Sequence, residues 1–277
     1  MTYDPRLTLA RPDLASEALE GLVRAERFAP TTAMRLVVPA AAVRAAPSVD
    51  AEQVDQLLFG ESFDVLDTED GFAWGQAVRD GYVGWVEAAA LTRRPLEATH
   101  RVTALRTFSF LEPSIKAPSR GPFSLNALVT VVEIQGALAH VEGGGWMPVG
   151  HLAPVGAAFE NPADVAERFL GTPYLWGGRD SLGIDCSGLV QQALYAAGRA
   201  CPRDTDLQAS IGDPASPTEL MRGDLVFWRG HVGMMLDDVR LLHANAHHMA
   251  VVIEPLAEAV ERISRSGAGD PTAYRRP

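Results

Sequence analysis

Three residues in this chain of 277 can do covalent chemistry together. Cys186 ends a glycine-rich approach, Tyr174-Leu-Trp-Gly-Gly-Arg-Asp-Ser-Leu-Gly-Ile-Asp-Cys186. It precedes a run of helical texture, Ser187-Gly-Leu-Val-Gln-Gln-Ala-Leu-Tyr-Ala-Ala197. A cysteine at a helix start faces unpaired N–H groups and the positive end of the helix dipole, which favours thiolate over thiol. His231 opens a strand-like run after Arg229-Gly230, and His243 lies near the end of the next. Neighbouring antiparallel strands set such residues side by side on one face. Cys186 would then attack a carbonyl, His231 would take its proton, and His243 would hold His231 in the right tautomer. Two other readings stand beside this one: Cys186 as a small buried residue, and a zinc site. No CxxC or HExxH spacing supports zinc. His100, His140, His151, His247 and His248 read as ordinary surface or core histidines.

The elements that must position these groups lie in the last part of the chain. Asn161-Pro-Ala-Asp-Val-Ala-Glu-Arg-Phe-Leu-Gly171 reads as a helix with Asn161 as N-cap, Pro162 at its first position and Gly171 as its cap. The helix of Cys186 follows. Asp224–Trp228, Val232–Leu236, Arg240–Asn245 and Met249–Pro255 read as four consecutive strands, and Leu256–Ile263 as a final helix. Helices first and tightly connected strands after them make an α+β domain with an antiparallel sheet.

Ahead of this domain the texture is different. Residues 1–34 read as a docked helical arm, with Leu14, Ala18 and Leu22 at helical spacing and Asp13 as N-cap. Residues 35–95 carry five short strand signals, at 35–39, 56–59, 62–67, 73–78 and 82–86, with Asp80-Gly81 as a hairpin turn. A fainter copy spans 96–157, where Gly145-Trp146-Met echoes Gly84-Trp85-Val, and the stretch from Arg93 to Glu97 makes the boundary. Residues 158–277 are the fourth part. The order of the first copy, and above all Asp80-Gly-Tyr-Val-Gly-Trp-Val86, resembles a bacterial SH3-like domain.

Bulk properties narrow the partners. Hydrophobic content of 47% and a mean hydropathy of +0.01 describe a globular chain able to bury a core. A formal net charge of −11 argues against nucleic acid or an anionic membrane as partner. No apolar run is long enough to span a bilayer. Two cysteines, Cys186 and Cys201, are too few for a disulfide scaffold. The N-terminus lacks the pattern of a secretory signal. With Met1 as the native start, a cytoplasmic location is expected.

Pro173-Tyr-Leu-Trp-Gly-Gly, Asp185-Cys-Ser-Gly-Leu-Val, Gly223-Asp-Leu-Val-Phe-Trp, His231-Val-Gly-Met and Leu242-His-Ala resemble the NlpC/P60 family of papain-like cell-wall peptidases, over roughly residues 160 to 277. With two SH3-like barrels ahead, the whole chain is similar to γ-D-glutamyl–diamino-acid endopeptidases that process murein peptides. The resemblance implies a multidomain chain: two small all-β SH3-like barrels, then an α+β papain-like catalytic domain. It assigns nucleophile, base and orienting residue to Cys186, His231 and His243. It further implies Tyr174 as an oxyanion donor beside the Cys186 N–H. It implies Asp185, Trp176 and Ser187 lining a pocket for the substrate's N-terminal alanine, the carboxylate pairing with its ammonium. Arg203-Asp204-Thr205 matches an Arg-Asp-Ser stretch of two-barrel relatives. Glu61 and Tyr82 of the first barrel match residues that wall the pocket.

The expected activity is hydrolysis of the γ-D-glutamyl–diamino acid bond in murein stem peptides with a free N-terminal L-alanine, as in peptide recycling. No cofactor or metal is implied. A non-catalytic wall-binding protein and an acyl or amide transferase are the alternatives on the same framework. The intact Cys-His-His set argues against the first, and sequence does not separate the second from hydrolysis.

Overall fold

The computed structural model describes residues 3–93 and 96–277. The expected boundary from Arg93 to Glu97 therefore falls partly outside the described residues. The chain divides between Val155 and Gly156 into two compact units. No helix among the described residues is long and apolar enough to cross a membrane.

The first unit is built from strands. Its seven-stranded sheet runs, in spatial order, Gln53–Leu58, Ala40–Arg44, Val83–Glu87, Phe72–Ala77, Ser62–Glu69, Thr32–Leu36 and Leu91–Thr92. Alternation along these strands buries Leu36, Val43, Leu57, Phe63 and Val86 in one core. The Asp80-Gly81 turn forms as expected: Gly81 takes φ +79°, and Asp80 Oδ1 accepts the Tyr82 N–H at 3.0 Å. The Ala40–Arg44 strand was not foreseen, because an alanine-rich run carries little β propensity. Pairing with Gln53–Leu58 recruits it.

Residues 100–154 form a three-stranded and a five-stranded sheet around Val102, Phe123, Val129, Val141 and Met147. Phe59 fills this second core and meets Phe123 edge-on at 5.1 Å. Two of its strands, Arg106–Phe110 and Ser119–Ser124, carried no recognised signal. Pro122 obscures the latter, and it is tolerated because that strand lies at the sheet edge.

The helical arm is not realised. Leu14–Ser16 is a strand paired in parallel with Arg27–Ala29, followed by one 3-10 turn. Leu14 is buried against Trp74 and Trp85, whereas Leu22 is 70% exposed, so Leu14, Ala18 and Leu22 make no common face. Gly21 at φ +80° stops helical propagation.

In the second unit, α1 (Pro162–Glu167) starts as expected: Asn161 Oδ1 accepts the Ala163 N–H at 2.9 Å and Pro162 takes the first position. Turns then lead to Gly171 at φ +79°. The fully buried α2 (Cys186–Ala196) and the short α3 (Thr205–Gln208) follow. A six-stranded sheet runs Asp213–Pro214, Ala273–Arg276, Leu225–Trp228, His231–Met235, Arg240–Asn245 and Ala250–Pro255, with antiparallel pairing. The last helix, α4 (Leu256–Arg265), buries Ala259 and Ile263 against Val226, Trp228, Met235 and Leu241. The strand Ala273–Arg276 is polar and was not foreseen. It is fixed by Arg276, whose guanidinium grips the buried Asp224 carboxylate at 2.8 and 2.7 Å.

Candidate active site

Cys186 is the first residue of α2, and Asp185 is its cap. Asp185 Oδ1 accepts the Gly188 N–H at 2.7 Å, which satisfies one of the free amides of the helix start. The approach loop is pulled onto the same carboxylate, with the Gly177 N–H 2.9 Å from Oδ2. A Cβ on Gly188 would stand 2.3 Å from the Gly178 carbonyl oxygen, so the loop packs this close only over glycine. This explains the Gly-Gly and Cys-Ser-Gly patterns: they let the loop and the helix start touch backbone to backbone.

His231 and His243 stand on adjacent strands. Met235 is paired with Leu241, so alternation places His231 and His243 on one face. Their rings meet, His231 Nε2 lying 2.8 Å from His243 Nδ1. The Trp228 ring packs 5.7 Å from that of His231. Cys186 reaches the same strand, its sulfur being within reach of the Val232 and Ser187 backbone N–H groups. The start of α2 thus lies beside the strand that opens with His231, whose ring meets that of His243.

Their protonation differs from the expectation. Burial, reinforced by the Asp185 charge, pushes the Cys186 thiol up to about 12. Burial, with the neighbouring His243, pulls the His231 imidazole down to about 3. The dipole of α2 and two amide donors do not offset the desolvation of the buried sulfur. The resting pair is therefore neutral thiol and neutral imidazole, and the proton moves as the sulfur attacks. Tyr174 is held protonated chiefly by burial, with the Asp185 charge adding to it, so its phenol remains an O–H donor.

The expected substrate set is divided. Arg203 grips Asp185 at 3.0 and 2.6 Å and also donates to Ser187 Oγ at 2.7 Å. This buried fork, with Arg203 1% exposed, occupies the carboxylate that was expected to meet a substrate ammonium. Asp204 and Thr205, at the start of α3, are half-buried, and Trp176 is 57% exposed. Glu61 and Tyr82 are buried in the first unit. Glu61 accepts from the Leu58 N–H at 3.0 Å and from Arg79 at 2.7 Å.

Two groups escaped the sequence reading. Gln208, fully buried, ties α3 to α2 through the Ser187 carbonyl at 3.0 Å and to the intervening loop through the Pro202 carbonyl at 2.8 Å. Glu254 lies 2.6 Å from His243 Nε2 and pairs with Arg262. The only signal for Glu254 was register: His243 opposes Val252, so Glu254 is the diagonal neighbour on the same face.

Comparison with known proteins agrees with this geometry. Residues 171–263 match the NlpC/P60 family, and residues 43–91 match the bacterial dipeptidyl-peptidase SH3 domain. A gamma-D-glutamyl-L-lysine dipeptidyl-peptidase of Bacillus subtilis is 28% identical over 228 residues, 74% of this chain and 76% of the relative. Dipeptidyl-peptidase 6 of Lysinibacillus sphaericus is 35% identical over 100 residues, 36% of this chain and 37% of the relative. An NlpC/P60 family protein from Bacillus cereus ATCC 10987 shares the fold, with a TM-score of 0.76 at 20% identity over 88% of this chain and 99% of that one. A region matching a bacterial SH3 domain is thus followed by an NlpC/P60 domain, in which a thiol-bearing helix start meets paired strand histidines.

Proposed function

We propose that the chain hydrolyses the amide between the γ-carboxyl of D-glutamate and the diamino acid of a murein stem peptide, with an N-terminal L-alanine carrying a free amine. The observation that carries this is the placing of Cys186 against the strand of the His231–His243 pair, in a chain whose residues 43–91 match a dipeptidyl-peptidase SH3 domain. His231 takes the thiol proton while sulfur bonds to the γ-carbonyl carbon. The oxyanion is held by the Cys186 N–H and the Tyr174 hydroxyl. The C–N bond then breaks, His231 returns its proton to the leaving amine, and a thioester remains. Water, deprotonated by His231, releases L-Ala-D-Glu and restores the thiol.

In this reading the chain comprises an arm (1–34), two SH3-like barrels (35–95 and 96–157) and a papain-like domain (158–277). Trp176, Ser187, Asp204 and Thr205 line the amine end of the substrate site. Asp185 acts there through Arg203, as the anchor of the helix start. The physiological setting is recycling of trimmed murein peptides in a reducing cytoplasm, where Cys186 stays a free thiol.

The test compares L-Ala-γ-D-Glu-diaminopimelate and its lysine counterpart, each with a free and an acetylated amine. Acetylation adds bulk at the amine end and removes the charge and N–H donors that its polar lining would meet, so the free peptide should be cleaved roughly tenfold faster or more. Comparable rates on free and acetylated peptides would overturn the free-amine specificity.

A further inference from the structure

We infer that Glu254, anchored by Arg262, is a positioning residue that fixes the tautomers of both histidines and leaves Nδ1 of His231 as the nitrogen that takes the thiol proton. The inference rests on the reading of His231 as the base.

Each ring proton is fixed in turn along one face of the sheet. Glu254, at the end of Ala250–Pro255, sits 2.6 Å from His243 Nε2 and is ion-paired with Arg262 of α4. The bonds to His243 and Arg262 hold its carboxyl down at about 2 despite burial, so it is ionised throughout the working range. An ionised carboxylate only accepts, so His243 Nε2 carries the hydrogen. Burial keeps His243 neutral, with a single ring proton. Its Nδ1 is therefore bare and can only accept. His231 Nε2, 2.8 Å away, must supply the hydrogen of that bond. Neutral His231 is then the Nε2–H form, and its Nδ1 is free.

A neutral carboxylic acid or an amide at position 254 permits the reverse arrangement. Such a group can donate to His243 Nε2, which moves the His243 proton to Nδ1 and leaves His231 Nε2 as acceptor. His231 then carries its proton on Nδ1, and its one lone pair, on Nε2, is engaged by His243, so no free nitrogen remains to take the thiol proton. Arg262 keeps Glu254 in the one form that excludes this. The charged and titratable groups facing the two rings are Glu254, Arg262 and His248, together with each other. Glu254 raises the His231 pKa and Arg262 lowers it, so their variants should move it in opposite directions.

The first readout needs no substrate. Ring 15N shifts of histidine-labelled full-length protein should show both His231 and His243 protonated at Nε2. A wild-type spectrum with His231 protonated at Nδ1 overturns the assignment outright. That readout stands even if the peptide bond cleaved proves to be a different one.

The second readout is kinetic, on a cleaved peptide, with folding checked by circular dichroism. Glu254→Gln should lower kcat by roughly a hundredfold or more with little change in KM, since a wrongly tautomerised base in a comparable triad costs about 10⁴. Glu254→Asp, which keeps the charge, should recover a large part of the loss. Arg262→Met should leave the tautomers in place at pH 8 but shift the acid limb of kcat/KM to higher pH. Glu254→Gln should shift that limb to lower pH. A Glu254→Gln enzyme within threefold of wild type with an unmoved pH profile would overturn the positioning role. Should Glu254→Gln fail to fold, Glu254→Asp with Nδ1-protonated His231 would overturn it equally.

Discussion

Replacing Arg203 by methionine removes one partner of the buried fork and leaves Asp185 behind. Asp185 loses contacts at 3.0 and 2.6 Å, and Ser187 loses its 2.7 Å partner. The side chains of Arg203 and Asp185 are 1% and 7% exposed, so water does not replace what is lost. Breaking a buried ion pair from one side costs about 3–5 kcal/mol. Asp185 keeps the Gly177 and Gly188 amides and the start of α2, which places the expected loss near the lower end, at about 3 kcal/mol. For a unit of this size that is a fall in Tm of roughly 10 °C. Urea unfolding of wild type, Arg203→Met, Asp185→Asn and the double variant measures the coupling. It should exceed about 2 kcal/mol, the double variant being much less destabilised than the sum of the singles. A loss below about 1 kcal/mol for Arg203→Met, or simple additivity, would refute the pairing. Asp185 would then be available to a substrate ammonium after all.

Three further outcomes follow from the same geometry. Cys186→Ala should abolish peptide cleavage with the far-UV spectrum intact, whereas Cys201→Ala, buried behind α2, should keep activity within roughly threefold, as expected for a small packing change. Iodoacetamide labelling of Cys186 should rise steadily with pH into the alkaline range, because burial raises the thiol to about 12; a plateau at mildly acidic pH would instead reveal a preformed thiolate. Stability should also depend on pH through His231. Its folded pKa of about 3 lies below the ordinary 6.5, so the unfolded chain binds more protons between these values. The stabilisation is then present above about pH 6.5 and lost as pH falls toward 3. His231→Gln should flatten that slope in acid-unfolding titrations, and an unchanged slope would contradict the buried neutral imidazole.

Cys186, His231 and His243 were legible as candidates because each is tied to a local signal. Cys186 follows a capping aspartate, and the two histidines sit on strands that read as short apolar runs bounded by turn residues, His231–Met235 and Arg240–Asn245 beside Leu225–Trp228. What could not be read depends on pairings distant in sequence. Arg203 meets Asp185 across the whole of α2, and Glu254 meets His243 only through the register of two strands and the return of α4. The upward shift of the Cys186 thiol is hidden for the same reason: helix position is visible in sequence, but the burial of Cys186 is not. The arm at Leu14 shows a further limit, since three apolar residues at helical spacing were outweighed by Trp74 and Trp85, which offered Leu14 a buried seat as a strand.

Mass spectrometry of products from L-Ala-γ-D-Glu-diaminopimelate and L-Ala-γ-D-Glu-L-Lys, incubated with wild type and with Cys186→Ala, tests the central claim most directly. The expected result is release of L-Ala-D-Glu together with the free diamino acid by wild type, with a transient mass increase of the protein matching a thioester to that dipeptide. Cys186→Ala should give neither. Cleavage at another bond, or equal cleavage by the two proteins, would contradict the account.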